Sequence, residues 1–241
     1  MHLSIVIPAY NEAKLLPRTL EIAAAGRRVL TELGLSTELI VCDNNSTDET
    51  SALATQGGAR VVHEPVNQIG RARNTGATAA SGEWLLFLDA DSSPSAELWR
   101  DLAAATQEAA VIGGGSTLCH DGHFPMLTFA LTSWNAWSRL SGEAAGAFLF
   151  CRREAFEKLG GFSTVLFAGE EVEFCRRLKR LARPQKQRMK ILHEHPLLTS
   201  PRKAELYRPG EFFRFILRTV LRRGKTLERR EDCAIWYDGR R

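Results

Sequence analysis

Three observations predict an α/β fold: a mostly parallel sheet with helices on both faces, in one domain. Short runs of consecutive apolar residues recur at 3–7, 38–42, 59–63 and 84–88, each closed by turn residues. Continuous rather than alternating apolar runs mark strands buried on both faces. Between them lie segments with apolar residues at helical spacing, and strands alternating with helices build parallel sheets. No repeat, linker or low-complexity stretch divides the 241 residues, a length that buries one substantial core.

The first strand, 3–7, stops at Pro8, and a helix over roughly 13–33 carries Leu16, Leu20, Ala23, Val29 and Leu30 on one side before Gly34 ends it. Strand 38–42 terminates in Asp43, and Ser46-Thr47-Asp48-Glu49 reads as a capping box opening a short helix. Strand 59–63 and a helix near 69–80 lead to strand 84–88, whose apolar run gives way to Asp89-Ala90-Asp91. A helix near 95–108 precedes Val111-Ile112-Gly113-Gly114-Gly115, where three glycines predict close approach of a ligand or a neighbouring strand. An apolar segment with Phe129, Trp134 and Trp137 follows, then a strand at 147–151. Glu170 and Glu171 open a helix ended by Pro184, and 189–195 is the last strand expected. A basic helix is expected at 210–223, with Phe213, Ile216, Leu217 and Val220 on one side and Arg214, Arg218 and Arg222 in line on another.

The composition, 44% hydrophobic and 25% charged, is that of an ordinary soluble globular protein. No apolar run approaches the roughly 20 residues needed to span a bilayer. The five cysteines form no C-x-x-C pair, which argues against a disulfide framework or a zinc site. With no signal-peptide organisation at the amino terminus, the expected location is the cytoplasm. The net charge of +4 hides an asymmetry: residues 1–175 carry 12 Lys/Arg against 21 Asp/Glu, and residues 176–241 carry 20 against 7. Such a basic section meets phosphate, nucleic acid or an anionic membrane, so helix 210–223 either packs on the domain or contacts the inner face of a membrane.

Four features fall at or near the carboxyl ends of the strands, the edge at which open α/β sheets bind ligands. They are Pro8-Ala9-Tyr10-Asn11-Glu12, Asp43-Asn44-Asn45-Ser46-Thr47-Asp48, Gly70-Arg71-Ala72-Arg73-Asn74-Thr75-Gly76 and Asp89-Ala90-Asp91. Taken singly, each has a plain structural reading as a turn or helix start. Together, convergent carboxylates and arginines suit a metal-bound nucleoside diphosphate: a hard cation bridges carboxylate to phosphate, and arginine takes the remaining charge. A dinucleotide enzyme would want G-x-G-x-x-G after the first strand, and neither that nor a Walker A sequence is present.

As a set, in this order and spacing over roughly 3–95, these motifs resemble family 2 glycosyltransferases of the GT-A fold, a Rossmann-like architecture. The resemblance continues more weakly through Gly146-Ala147-Phe148-Leu149-Phe150-Cys151-Arg152-Arg153, Gly160-Gly161-Phe162 and Gly169-Glu170-Glu171. It implies a uridine- or guanosine-diphosphate sugar donor, Mg²⁺ or Mn²⁺, and inversion at the anomeric carbon. By similarity Pro8, Tyr10, Glu12 and Asp43 hold the nucleoside, Arg71 faces the diphosphate, Asp91 with Asp89 holds metal and donor ribose, and Ala9, Asn45, Asn74 and Ala90 belong to the same nucleotide-sugar site. Where family members commonly carry Glu-Asp this chain has Glu170-Glu171, so Glu171, or else Glu170, is the expected catalytic base. His193 and His195, two apart on a strand, are candidate further metal ligands. Ser200, Arg202 and Lys203 are candidate phosphate contacts.

The implied division is a nucleotide-binding half (1–95), an acceptor and catalytic half (96–205) and a basic segment (206–241). The acceptor is an unspecified sugar, lipid or small molecule. Two other readings compete: a membrane- or nucleic-acid-binding module built on the basic segment, with nucleic acid disfavoured, and a nucleotidyltransferase, which would carry a Gly-rich basic loop after the first strand. The first does not account for four motifs in the first 95 residues, and the loop that the second would carry is absent.

Overall fold

The computed structural model describes residues 1–200, 202, 206, 209–222 and 224–237. In chain order its elements are β1 (His2–Ala9), α1 (Leu16–Glu32), β2 (Ser36–Asp43), α2 (Thr50–Gln56), β3 (Arg60–His63), α3 (Ile69–Thr78), β4 (Trp84–Leu88) and β5 (Ser92–Ser93). Then follow α4 (Ala96–Gln107), β6 (Val111–Cys119), α5 (Pro125–Ser141), β7 (Phe148–Arg152), α6 (Arg153–Lys158), α7 (Glu170–Ala182), β8 (Arg188–Thr199) and α8 (Pro209–Leu221). The eight strands form one sheet in the order β3-β2-β1-β4-β7-β6-β8-β5.

The strands β1 to β4 are mutually parallel, as their continuous apolar runs predict. β7 then enters antiparallel beside β4, and β6 antiparallel beside β7. This reversal matters for the site. It sets the start of β7 against the carboxyl end of β4, where the Asp89 N–H donates to the Ala147 carbonyl. Two segments about 60 residues apart in sequence therefore meet at one sheet edge.

Helices cover both faces. On one, α1 and α4 bury Leu16, Leu20, Leu30, Trp99 and Leu102 against Leu3, Ile5, Trp84 and Leu86. A side chain at Gly26 would stand 2.1 Å from the Trp99 indole, so that position must be bare for the helices to meet. On the other face Phe87, Phe156, Phe162 and Phe174 form an aromatic cluster, Phe162 lying 4.9 Å from Phe87 and 4.8 Å from Phe174 between centroids. Burying apolar area at roughly 25 cal/mol per Å² makes these two layers the main stabilising term.

The structure departs from the sequence reading in three places and decides a fourth. Pro8 does not end the first strand, because β1 continues to Ala9 in register with Asp43. No capping box forms at Ser46: α2 starts at Thr50, and the Ser46 hydroxyl instead accepts the Asn11 N–H. Of the two approaches expected at the glycines of β6, the structure shows that of a neighbouring strand, since a Cβ on Gly114 would lie 1.9 Å from the Lys190 carbonyl oxygen. Finally, β8 runs to Thr199 but breaks register between Leu192 and Leu197, opposite Ser116 and Leu118, so simple alternation does not hold through His193–Pro196.

The basic segment is partly ordinary architecture. Beyond α8, Thr226, Cys233 and Ile235 are buried, and the Phe167 N–H donates to the Leu227 carbonyl. In α8 itself Arg214, Leu217, Arg218 and Leu221 are exposed. The side chains of Phe213, Ile216 and Val220, on which its expected apolar side rests, lie outside the described residues, as does Lys203.

Because the neighbour of Gly114 is backbone that cannot rotate away, Gly114→Ala should destabilise the fold by at least the ~1–3 kcal/mol of core overpacking. Urea unfolding followed by tryptophan fluorescence measures it.

Candidate active site at the carboxyl edge of the sheet

The loops after β1 and β2 are laced into one rim. The Asn11 side-chain carbonyl accepts the Thr47 N–H at 2.8 Å, the Glu12 N–H donates to Thr50 Oγ1, and the Ala13 N–H donates to Asp48. Asn11 and Asn45 both hold left-handed backbone (φ 51° and 65°), a conformation asparagine tolerates better than most residues. Asp43 at the end of β2 spends one oxygen on the Ser46 N–H and turns the other toward His63 at 3.7 Å. Asn44 donates to the Val66 carbonyl and fixes the loop beyond β3.

The centre of the edge is Arg73. Its guanidinium donates to Glu170 Oε1 at 2.6 Å and to Asp89 Oδ1 at 3.0 Å, with only 2% of the Arg73 and Glu170 side chains exposed. The Phe162 ring lies 5.5 Å away. Gly146 makes room, since a Cβ there would come 2.2 Å from the guanidinium. Burial opposes the charge on Arg73, but the carboxylates of Asp89, Glu170 and Glu171 outweigh it and hold the group more firmly charged than usual. Burial and the adjacent Glu171 push the Glu170 carboxyl up to about 8, with Arg73 opposing. Glu171, next in the first turn of α7, is only half-buried.

A second arginine closes the other side. Arg202 donates to both oxygens of Glu12 at 2.9 Å and to Asp91 Oδ2 at 3.3 Å. The two carboxylates of Asp89-Ala90-Asp91 thus face different arginines, while Thr19 donates to the Ala90 carbonyl and anchors the turn from α1.

The other expected site residues take varied places. Pro8 and Ala9 are buried in β1, and Tyr10 sits half-buried beyond it. Arg71 lies on α3, its Nε–H donating to Gln68 at 3.1 Å. Asn74 does not face the edge: its side chain exchanges two hydrogen bonds with the backbone of Phe162, tying α3 to the loop before α7. His195 is bound to Asp101 of α4 at 2.9 Å, and that hydrogen bond raises its basicity. It lies four residues back from Thr199, which pairs with Ser92 beside Asp91, and His193 is exposed in the same irregular stretch. The structure therefore does not bring either histidine to Asp91.

Among the described residues no three His, Cys, Asp or Glu side chains form a ready metal cage. Asp89 and Asp91 do fit a hard cation that takes most of its coordination from phosphate oxygens and water, the usual habit of Mg²⁺. Both are acidic oxygen donors on one turn at the sheet edge.

The sequence motifs assign Arg73 no role beyond membership and make Arg202 only a candidate phosphate contact. For Arg73 a signal existed. Gly70, Arg73 and Gly76 recur every three residues, so the arginine shares the face of α3 whose glycines press on other segments. For Arg202 no local pattern announces a partner 190 residues away.

Residues 4–160 match the family model described as glycosyl transferase family 2. The chain belongs to that family, and it is a glycosyltransferase. Among its relatives is an uncharacterized glycosyltransferase of Mycobacterium tuberculosis, 32% identical over 163 residues, covering 65% of this chain and 70% of the relative. Another is glycosyltransferase AglE of Haloferax volcanii, 27% identical over 187 residues, covering 72% of this chain and 60% of that protein. A TPR repeat-containing protein of Synechococcus elongatus is 39% identical over 100 residues, 41% of this chain, but the match spans 23% of its length.

The fold is that of solved GT-A structures. Residues 1–349 of TarS from S. aureus superpose with a TM-score of 0.64 at 21% identity, covering 86% of this chain and 62% of that one. Glucosyl-3-phosphoglycerate synthase of Mycobacterium tuberculosis, in complex with Mn²⁺, UDP and phosphoglyceric acid, gives 0.61 at 22% identity, covering 91% and 76%.

Removing Arg73 would deprive Glu170 and Asp89 of the charged group they share. Arg73→Met should cost about 3–5 kcal/mol of stability in chemical denaturation, the range for breaking one side of a buried ion pair. Glu170 carries a sign that a second experiment reads. With its carboxyl raised to about 8 in the folded chain, it binds its proton more tightly folded than unfolded. That contribution is present below the unfolded value and is lost as pH rises through the folded one, so stability should fall between about pH 5 and 8. In Glu170→Gln the decline should flatten, as measured by unfolding at a series of pH values.

Proposed function

We propose that this glycosyltransferase moves a sugar, with inversion, from a UDP- or GDP-linked donor to a hydroxyl of a sugar, lipid or small-molecule acceptor. The observation that carries the reading is the Arg73 bridge, which joins the Asp89-Ala90-Asp91 turn to the start of α7 at one edge of the sheet. Support for the donor class comes from two solved relatives of the fold. One is the TarS complex with UDP-GlcNAc, and the other is a Pyrobaculum calidifontis mannosyltransferase bound to GDP-Man and Mn²⁺.

In this reading residues 1–95 bind the nucleotide, 96–205 carry the acceptor side and base, and 206–241 form a basic closing segment. Asp43, at the end of β2 beside the rim of Tyr10, Glu12 and Asn45, accepts an imide hydrogen bond from the base. Arg71 and Arg202 take up the charge of the diphosphate. Asp91, with Asp89, would hold the divalent cation, which when bound supplies positive charge to the departing diphosphate.

Inversion is a single in-line displacement. The acceptor oxygen attacks the anomeric carbon as the bond to the diphosphate breaks, and one carboxylate takes the acceptor's proton. Glu171 suits that role better than Glu170. Glu170 is buried against Arg73 with its carboxyl shifted toward the protonated form, whereas Glu171 stands at the half-exposed rim of the same helix start. Arg73 is then a positioning residue: it orients Asp89 on the donor side and fixes the first turn of α7 on the acceptor side.

Incubation with a panel of UDP- and GDP-sugars and Mn²⁺ should release nucleoside diphosphate with at least one donor, and chelator should abolish release. Glu171→Gln should cut transfer by roughly 10²–10⁴-fold, the range for general-base catalysis, with donor affinity near wild type in calorimetry. Undiminished transfer by Glu171→Gln together with loss in Glu170→Gln would exchange their roles.

A further inference from the structure

We propose that α5 is a second functional surface, a docking face for an anionic phospholipid bilayer. The 17 residues of Pro125–Ser141 contain a single charged side chain, Arg139. Phe124, Leu127, Leu131 and Trp134 recur at helical spacing and are half-buried toward the domain. Asn135 locks this inner face by accepting the Leu118 N–H and donating to the Leu118 carbonyl. The inner face therefore has its partner.

The outer face is open to solvent apart from the Trp137 indole, whose N–H donates to the Glu143 carboxylate at 3.2 Å. Met126 is 65% exposed, Phe129 75%, Trp137 53% and Leu140 88%. At 100° per residue these four, with Ala130, Ser133 and Ala136, fall in one stripe along the helix with no charge on it. Scattered exposed apolar residues are ordinary, but a continuous stripe nearly four turns long marks an interaction surface. Its residues are large and apolar, and one is a tryptophan, a side chain favoured at the boundary between water and lipid.

What selects the occupant is the charge beside it. The carboxyl end of α5 opens on a groove of about 590 Å³ whose lining includes Arg139, Arg176, Lys179, Arg180, Arg183 and Arg188 and no acidic residue. Glu143 pairs with Arg176 and Lys179, and Glu108 pairs with Arg188. Among the described residues Arg139, Arg180 and Arg183 have no ion-pair partner. An anionic bilayer satisfies both halves of the surface at once: headgroup phosphates meet the arginines while the stripe enters the acyl boundary. A second copy placed on the stripe by a two-fold axis would instead set identical apolar stripes together and leave the two cationic grooves without counter-charge. No helix among the described residues is long and apolar enough to cross a membrane, so contact here is lateral.

The test is sedimentation of the full chain with phosphatidylcholine vesicles and with vesicles containing one-quarter phosphatidylglycerol. Binding should appear only with the anionic vesicles and should weaken as salt is raised. Met126→Gln/Phe129→Gln/Leu140→Gln and Arg139→Gln/Arg180→Gln/Arg183→Gln should each weaken it by tenfold or more, with unchanged circular dichroism. All six positions are exposed, so these substitutions preserve folding. Failure of the wild-type chain to bind would overturn the proposal. So would binding that survives both triple variants and is lost in Arg214→Gln/Arg218→Gln, which would move the contact to α8. Light scattering that shows a dimer dissolved by the Met126/Phe129/Leu140 variant would overturn it too, assigning the stripe to a second copy.

Discussion

A single buried cation sets the geometry on which the site depends. Arg73 is enclosed by α3, the turn after β4, the Phe162 ring and the first turn of α7, and it satisfies a carboxylate on each side. Burying such a group is costly, and the cost is offset only while both acids are in place. Each element around it shows the same accommodation. Gly146 is bare where the guanidinium passes, and Gly70 is bare where the Glu170 side chain comes close. Asn74 fastens α3 to the Phe162 backbone beside it.

The antiparallel entry of β7 makes this possible. Had β7 continued the parallel pattern of β1 to β4, its amino-terminal end would lie at the opposite edge from Asp89. Instead Ala147 accepts from the Asp89 N–H, and the glycine at 146 arrives beside Arg73. The mixed sheet thus serves as a device for bringing the downstream half of the chain onto the edge where the parallel strands present their acids. Arg202, returning from beyond β8 to Glu12 and Asp91, closes that edge from the other side.

Much of this was legible in the sequence because it is local. Buried parallel strands write themselves as unbroken apolar runs, so β1 to β4 and the helices between them lie within a few residues of their expected places. The motifs at their carboxyl ends fall on one edge because parallel strands leave no alternative. Features that depend on distant partners were not legible. Asn74 reads as a nucleotide-sugar contact until Phe162 is beside it, and His195 reads as a candidate metal ligand until a break in the β8 register turns it to Asp101. The glycines of β6 announced a close approach, but only the sheet order shows that the approaching atoms are the backbones of β7 and β8.

The account stands on Arg73 joining two carboxylates into one unit, and a double-mutant cycle between Asp89→Asn and Glu170→Gln tests that directly. The two acids are linked here through the guanidinium, so their effects on unfolding free energy should be non-additive by about 0.5–3 kcal/mol, the range for residues in one ionic network. The non-additivity should vanish when the cycle is repeated in Arg73→Met. Additivity within about 0.3–0.5 kcal/mol in the wild-type background would contradict the claim, because it would mean that the donor turn and the start of α7 are held independently.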